Sequence, residues 1–241
     1  MKTLFAALLF SLLTSGCTKE KDMSVAKDPD NSFVAPNQKT SFTYLALGDS
    51  YTIGASVTKA ESFPYQLQSA LKAQNTTLAD PKIIAVTGWT TDELKGAIKQ
   101  AKLTERYDFV TLLIGVNNQY RGYPLDTYKK EFSELLQTAI DFANGSKRRV
   151  FVISIPDWGA TPFGKNAAKG PQTIAAEIDA FNAANKEITL AAGVSYTDIT
   201  PGSRNAKTDP ALIAADGLHP SAKMYAEWVN ALLPKVTEVL K

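Results

Sequence analysis

From residue 42 to the C-terminus, short apolar runs alternate with longer stretches of helical periodicity, and this alternation limits the chain to few architectures. The runs are Phe42–Leu47, Lys82–Val86, Phe109–Ile114, Arg149–Ile155 and Val194–Ile199. They are rich in β-branched and aromatic residues and nearly continuous rather than alternating, as in strands covered on both faces. The helical stretches are about Ser62–Gln74, Thr91–Lys102, Leu125–Asn144, Gln172–Ala192 and Ser221–Leu240. Thr90 followed three residues later by Glu93 fits a capping box at the second of them. Strands alternating with helices imply right-handed crossovers and a parallel sheet enclosed by helices. The expectation is one α/β domain over 42–241. Ligands of such sheets bind beyond the carboxyl ends of the strands, so the residues there are the ones to read for chemistry.

The first 41 residues lack this pattern. Met1-Lys2-Thr3 carries one positive charge, Leu4 to Leu13 is apolar except for Ser11, and Thr14-Ser15-Gly16 leads into Cys17. A basic start, a short apolar run and small residues make a secretory signal, and the run is too short for the about 20 residues that span a bilayer. Small residues running into the only cysteine resemble a bacterial lipoprotein signal, which implies cleavage before Cys17 and acylation of its thiol. Leu is usual three residues before that Cys; here Thr14 stands there, with Leu13 one place earlier. The alternative is an ordinary secretory signal with an incidental cysteine. The expected organisation is a signal over 1–16 and a polar, lipid-anchored tether over 17–41, with Pro29 and Pro36 and no periodicity. The implied location is the bacterial outer membrane. Thr18-Lys19-Glu20-Lys21-Asp22 resembles a tract that sends some lipoproteins to the outer surface; the periplasmic face is the other option.

Composition removes several functions. With 26 Lys+Arg against 24 Asp+Glu, no basic excess exists to neutralise phosphates, so a nucleic-acid partner is not expected. One Cys excludes an internal disulfide framework and a thiolate zinc site, and one His excludes a multi-histidine metal centre. Neither G-x-G-x-x-G nor G-x-x-x-x-G-K-[ST] occurs, so no dinucleotide or P-loop nucleotide is expected.

The first strand runs into Gly48-Asp49-Ser50. A Ser in such a turn has an exposed hydroxyl and a backbone N–H near a helix start, which suits a nucleophile whose own amide binds an oxyanion. The bland alternative is that Asp49 or Ser50 only caps a helix. Gly88 follows the second strand, where its N–H can approach a ligand or it can serve the turn alone. Asn117 follows the third, as an oxyanion donor or simply a turn residue. Near the C-terminus stands Asp216-Gly217-Leu218-His219-Pro220, with Pro220 expected in the first helical turn and His219 about at the cap. Across three residues the carboxylate can reach the imidazole and orient it, as a Ser nucleophile needs of its base. The alternative is an Asp216 helix cap with His219 a bystander.

Together these residues resemble the GDSL, or SGNH, hydrolase family, whose signature is Ser, Gly, Asn and His on four separated segments. Here they are Ser50, Gly88, Asn117 and His219, in the family's order, with Asp216 three residues before the His. The resemblance covers about residue 42 to the C-terminus. It implies a flavodoxin-like three-layer α/β/α sandwich with about five parallel strands, and hydrolysis of esters or thioesters without cofactor or metal. It also implies Ser50, Asp216 and His219 as catalytic residues, with Ser50, Gly88 and Asn117 as the oxyanion hole. Two departures are visible: Asn118 stands where Asp is usual, and Gly88 sits in the less typical setting Val86-Thr87-Gly88-Trp89. An acyltransferase would use the same residues with an alcohol replacing water. A non-catalytic surface-binding lipoprotein on this fold would be expected to lose at least one of Ser50, Asp216 and His219.

Specificity is expected from loops beyond the strand ends. Tyr120, Tyr123, Trp158 and Phe163 are candidate exposed aromatics that stack on a sugar or cover a short acyl group, with Tyr120, Trp158 and Phe163 foremost. Their alternative role is to pack the loops onto the domain. No loop carries the long hydrophobic run of a tunnel for a long acyl chain. Short-acyl esters, such as acetyl groups on carbohydrates, are therefore the expected substrates of a monomer; lysophospholipids and thioesters are the alternative.

Overall fold

The structure is a computed structural model and describes residues 41–241. The expected signal, Cys17 and the tether as far as Thr40 lie outside the described residues. The elements run β1 (Tyr44–Gly48), α1 (Ser50–Ile53), α2 (Phe63–Ala73), β2 (Lys82–Ala85), α3 (Thr91–Ala101), β3 (Phe109–Leu113) and α4 (Val116–Tyr120). They continue α5 (Leu125–Phe142), β4 (Val150–Ile153), α6 (Pro162–Lys165), α7 (Pro171–Ala191), β5 (Ser195–Thr197), α8 (Thr200–Ser203) and α9 (Ala222–Leu240). The five strands are parallel in the order β2-β1-β3-β4-β5, the flavodoxin-like order. β1 leads to β2 on one side, and β2 crosses back to β3 on the other. With right-handed crossovers, α2 and α3 therefore lie on opposite faces. α9 packs on α2, and α5 packs on α3 and α7, which completes the two helical layers.

The continuous apolar strands are buried as their sequence requires. Every residue of β1 and β3 is buried, and the Tyr44 ring stacks on Phe109 at 4.3 Å with its hydroxyl 2.8 Å from Thr111 Oγ1. Strands β2 to β5 stop before their apolar runs do. Beyond β4, Ile155 stays buried, but its N–H and C=O are bonded by the Asn182 side-chain amide, each at 2.8 Å, and not by a neighbouring strand. The Thr90–Glu93 cap forms, with Thr90 N–H donating to Glu93 Oε2 at 2.9 Å.

One boundary differs in a way that matters. Pro220 is not in the first turn of α9: Ser221 is the N-cap, its Oγ accepting from Met224 N–H, and Pro220 instead bridges Ile213. His219 thus belongs to a loop before the helix and not to its cap. No helix among the described residues is long and apolar enough to cross a membrane.

Candidate active site

β1 and β3 are neighbours whose following connections leave on opposite sides of the sheet, so a crevice opens beyond their carboxyl ends. Gly48 ends β1. A Cβ there would lie 2.1 Å from Thr52 Oγ1 and 2.4 Å from Leu113 O, so only glycine lets α1 fold back over the sheet. Asp49 is the N-cap of α1, its Oδ1 accepting from Tyr51 N–H at 3.0 Å, which leaves Ser50 as the first helical residue. The cap is therefore Asp49 and not Ser50. Asp49 is wholly buried, its Oδ2 has no hydrogen-bond partner, and burial pushes its pKa up to about 7 against the bonds its carboxylate accepts.

The segment carrying Asp216 and His219 is closed at its base. Ala214 N–H donates to His219 O at 2.8 Å and Ser221 N–H to Leu212 O at 2.9 Å. Inside this loop Asp216 Oδ1 accepts from Leu218 and His219 N–H, each at 2.9 Å, while Oδ2 meets His219 Nδ1 at 2.5 Å. Ser56 Oγ adds the carboxylate's fourth bond, donating to Oδ2 at 2.6 Å. Partial burial pushes the Asp216 pKa up, but the bonds from Ser56, His219 and the two amides outweigh it and hold the carboxyl well below its ordinary value. An ionised Asp216 accepting from Nδ1 makes Nε2 the nitrogen able to take a proton. The Tyr51 ring meets the imidazole edge-on at 5.8 Å.

Ser50, Gly88, Asn117 and His219, from four separate segments, line one cavity of about 220 Å³. Gly88 has φ +88°, and a Cβ there would meet only Arg121 Nη2, at 3.7 Å, so glycine serves the backbone conformation and not close packing. Arg121, bonded to Glu93 at 3.1 Å, holds the Gly88 carbonyl at 2.5 Å. Asn117 Nδ2 spends one hydrogen on Trp89 O at 2.9 Å and keeps a second.

Asn118, which stands where the family usually has Asp, does not line the cavity. It is fully buried, with Oδ1 accepting from Thr91 N–H at 3.0 Å and Nδ2 donating to Thr91 Oγ1 at 2.7 Å. The Thr91 hydroxyl then donates to Glu131. This departure alters the support of α3 and α4, leaving Asn117 in place.

Tyr120, Trp158 and Phe163 all line the cavity. The expectation that all are exposed is corrected for Trp158, which is 4% exposed, against 55% for Tyr120 and 44% for Phe163. Its indole N–H has an acceptor inside the protein, Gln119 Oε1 at 2.7 Å, which lets the ring bury. Tyr120 and Phe163 flank it at 5.5 and 6.0 Å. Tyr123 is absent from the lining. Tyr51, Thr87, Val116 and Leu218 complete the wall, and Ser56 supports it from behind Asp216. None of these five was marked by a spacing motif.

The profile of the GDSL-like Lipase/Acylhydrolase family matches residues 46–227. Among solved structures, the chain is similar to the lipase/acylhydrolase from Enterococcus faecalis, with 18% identity, 83% of this chain and 97% of that one covered, and a TM-score of 0.65. It is also similar to Axe2, an acetylxylan esterase from Geobacillus stearothermophilus (18% identity, 81% and 94% covered, TM-score 0.63). A third is the psychrotrophic esterase EstA from Pseudoalteromonas sp. (15%, 84% and 99%, TM-score 0.59). These identities establish likeness of fold. No curated protein matches the sequence.

Proposed function

This chain belongs to the GDSL-like lipase/acylhydrolase family, and from that membership we propose a serine esterase that removes short acyl groups, such as O-acetyl groups on carbohydrates. The observation that carries the reading is that Ser50, Gly88, Asn117 and an Asp216-bonded His219 line the same cavity.

In the proposed reaction Ser50 Oγ attacks the ester carbonyl carbon while His219 Nε2 takes its proton. The carbonyl oxygen becomes an oxyanion facing the N–H groups of Ser50 and Gly88 and the second amide hydrogen of Asn117. As the tetrahedral intermediate collapses, the C–O bond to the alcohol breaks and the imidazolium returns its proton to the departing oxygen. Water, deprotonated by His219, then attacks the acyl-serine and releases the acid. Asp216 stays ionised and stabilises the imidazolium in both halves.

Cavity size supports a short acyl group. About 220 Å³ lies below the about 300–1,000 Å³ typical of pockets for drug-sized ligands. Its aromatic wall suits an acetyl or similarly short chain, and the exposed Tyr120 and Phe163 rings offer faces for a sugar. The acetylxylan esterase Axe2 has a similar fold.

The test is a panel of p-nitrophenyl esters of increasing chain length, run beside acetylated sugars and a lysophospholipid. We expect acetate release, falling rates with chain length and near-complete loss of turnover in Ser50→Ala. Preference for chains of about eight carbons or more would overturn the short-acyl reading, and full activity in Ser50→Ala the serine mechanism. We further propose that the mature protein is held on a membrane by acylated Cys17. Labelled fatty acid failing to enter the protein in a bacterial host, or Cys17→Ala leaving fractionation unchanged, would refute the anchor.

A further inference from the structure

We propose that Gln119 limits acyl length by fixing Trp158 as a partition between two cavities, an inference that rests on the esterase reading above. Tyr51, Trp158 and Leu218 line the active-site cavity and also a second void of about 10 Å³, bounded on its other side by Ile213, Pro220 and Met224. That void has room for about one water. An acyl chain turned toward this wall stops at it, and a longer chain is admitted on that side only when the indole moves aside.

The indole is held by a chain of bonds whose direction is determined. Lys169 Nζ donates to Glu177 Oε2 at 2.7 Å, and the same oxygen accepts from Gln119 Nε2 at 2.6 Å. A carboxylate only accepts, so Glu177 forces the amide end of Gln119 outward and its Oε1 inward. Oε1 then accepts from Trp158 Nε1 at 2.7 Å. Gln119 is 1% exposed and Trp158 4%, so an indole N–H deprived of Oε1 would be buried without a partner and would have to turn. Neither Gln119 nor Glu177 lines either cavity, so both act on substrate through Trp158 as positioning residues.

The experiment compares kcat/KM for p-nitrophenyl acetate and octanoate in the full-length protein and its variants. Gln119→Leu keeps the bulk and removes the acceptor. Its octanoate-to-acetate ratio is expected to rise about tenfold or more, within the range that pocket methylenes discriminate. Should Gln119→Leu not fold, the half-exposed Glu177 decides: Glu177→Ala should raise the ratio, while Glu177→Gln, which retains an acceptor oxygen, should hold the wild-type value. A folded Gln119→Leu with an unchanged ratio overturns the inference and leaves the esterase standing. So does an equal response of the two Glu177 variants when they are the deciding pair. A wild-type protein inert toward every ester overturns the esterase reading, and this inference with it.

Discussion

Ser56 Oγ donates to Asp216 Oδ2 at 2.6 Å across 160 residues of sequence, tying the first βα connection to the loop that carries the imidazole. Ser56 holds this position at φ +67°, a left-handed conformation that costs an L-residue about 1–2 kcal/mol. Ser56→Ala keeps the backbone and removes the bond, so Asp216 orients His219 less firmly and its pKa moves up toward the ordinary value. Discounted for solvent at this partly exposed carboxylate, the expected loss in kcat/KM is about three- to tenfold. Asp216 remains ionised over neutral pH in either protein. The pH dependence of kcat/KM should therefore gain no ionisation from Asp216 in the neutral range. Kinetics equal to wild type in Ser56→Ala would show the bond to be incidental.

Asp49 makes stability depend on pH in the opposite sense to a paired carboxylate. Its native pKa is pushed up to about 7 from 3.8, so between those values the folded state binds more protons than the unfolded one. Stability from this group is thus greatest in acid, declines as pH rises from about 4 to about 7 and is level above. Three units at 1.36 kcal/mol each set an upper bound of about 4 kcal/mol. Asp49→Asn keeps an oxygen for Tyr51 N–H and abolishes the titration, so it should raise Tm at pH 8 more than at pH 5. Melting curves at the two pH values decide it; an equal shift at both would contradict a proton on Asp49.

Asn117→Ala removes the one side chain among the three proposed oxyanion donors. Turnover of a short p-nitrophenyl ester should fall about 10²–10³-fold with a smaller change in KM, because the developing negative charge loses a donor that the ground-state carbonyl needs less. Trp89 O also loses its partner, so circular dichroism should accompany the kinetics. A fall confined to KM would place Asn117 in substrate binding and out of the oxyanion hole.

The sheet was legible because a strand covered on both faces must be apolar throughout, as β1 and β3 are. The short helices α1, α4, α6 and α8 span only four or five residues, too few to show a 3.6-residue period. The same division runs through the site. Asp216 and His219 are three residues apart, so their spacing made the contact an open possibility in the sequence. Ser56 reaches Asp216, and Gln119 reaches Trp158 and Glu177, only after folding brings distant segments together. Trp158 was misjudged as exposed for the same reason: what buries an indole is an acceptor for its N–H, and that acceptor lies 39 residues away.

Asn118 allows the departure from the family's usual Asp to be tested directly. Here the amide is at 118 and the carboxylate at Glu131, with the Thr91 hydroxyl accepting from the first and donating to the second. Asn118→Asp places a carboxylate on both sides of that hydroxyl, which has one hydrogen to give. One carboxylate then loses its donor in a site where Asn118 is 0% exposed. The expected cost at pH 7 is about 1–3 kcal/mol, or several degrees in Tm, and it should shrink as acid protonates the buried Asp. Adding Glu131→Gln reverses the network: the new amide donates to Thr91 Oγ1, and the hydroxyl donates to the new carboxylate. The double variant should therefore be more stable than Asn118→Asp alone, a coupling that a double-mutant cycle measures. Simple additivity of the two substitutions would show that Asn118 and Glu131 do not share the Thr91 hydroxyl.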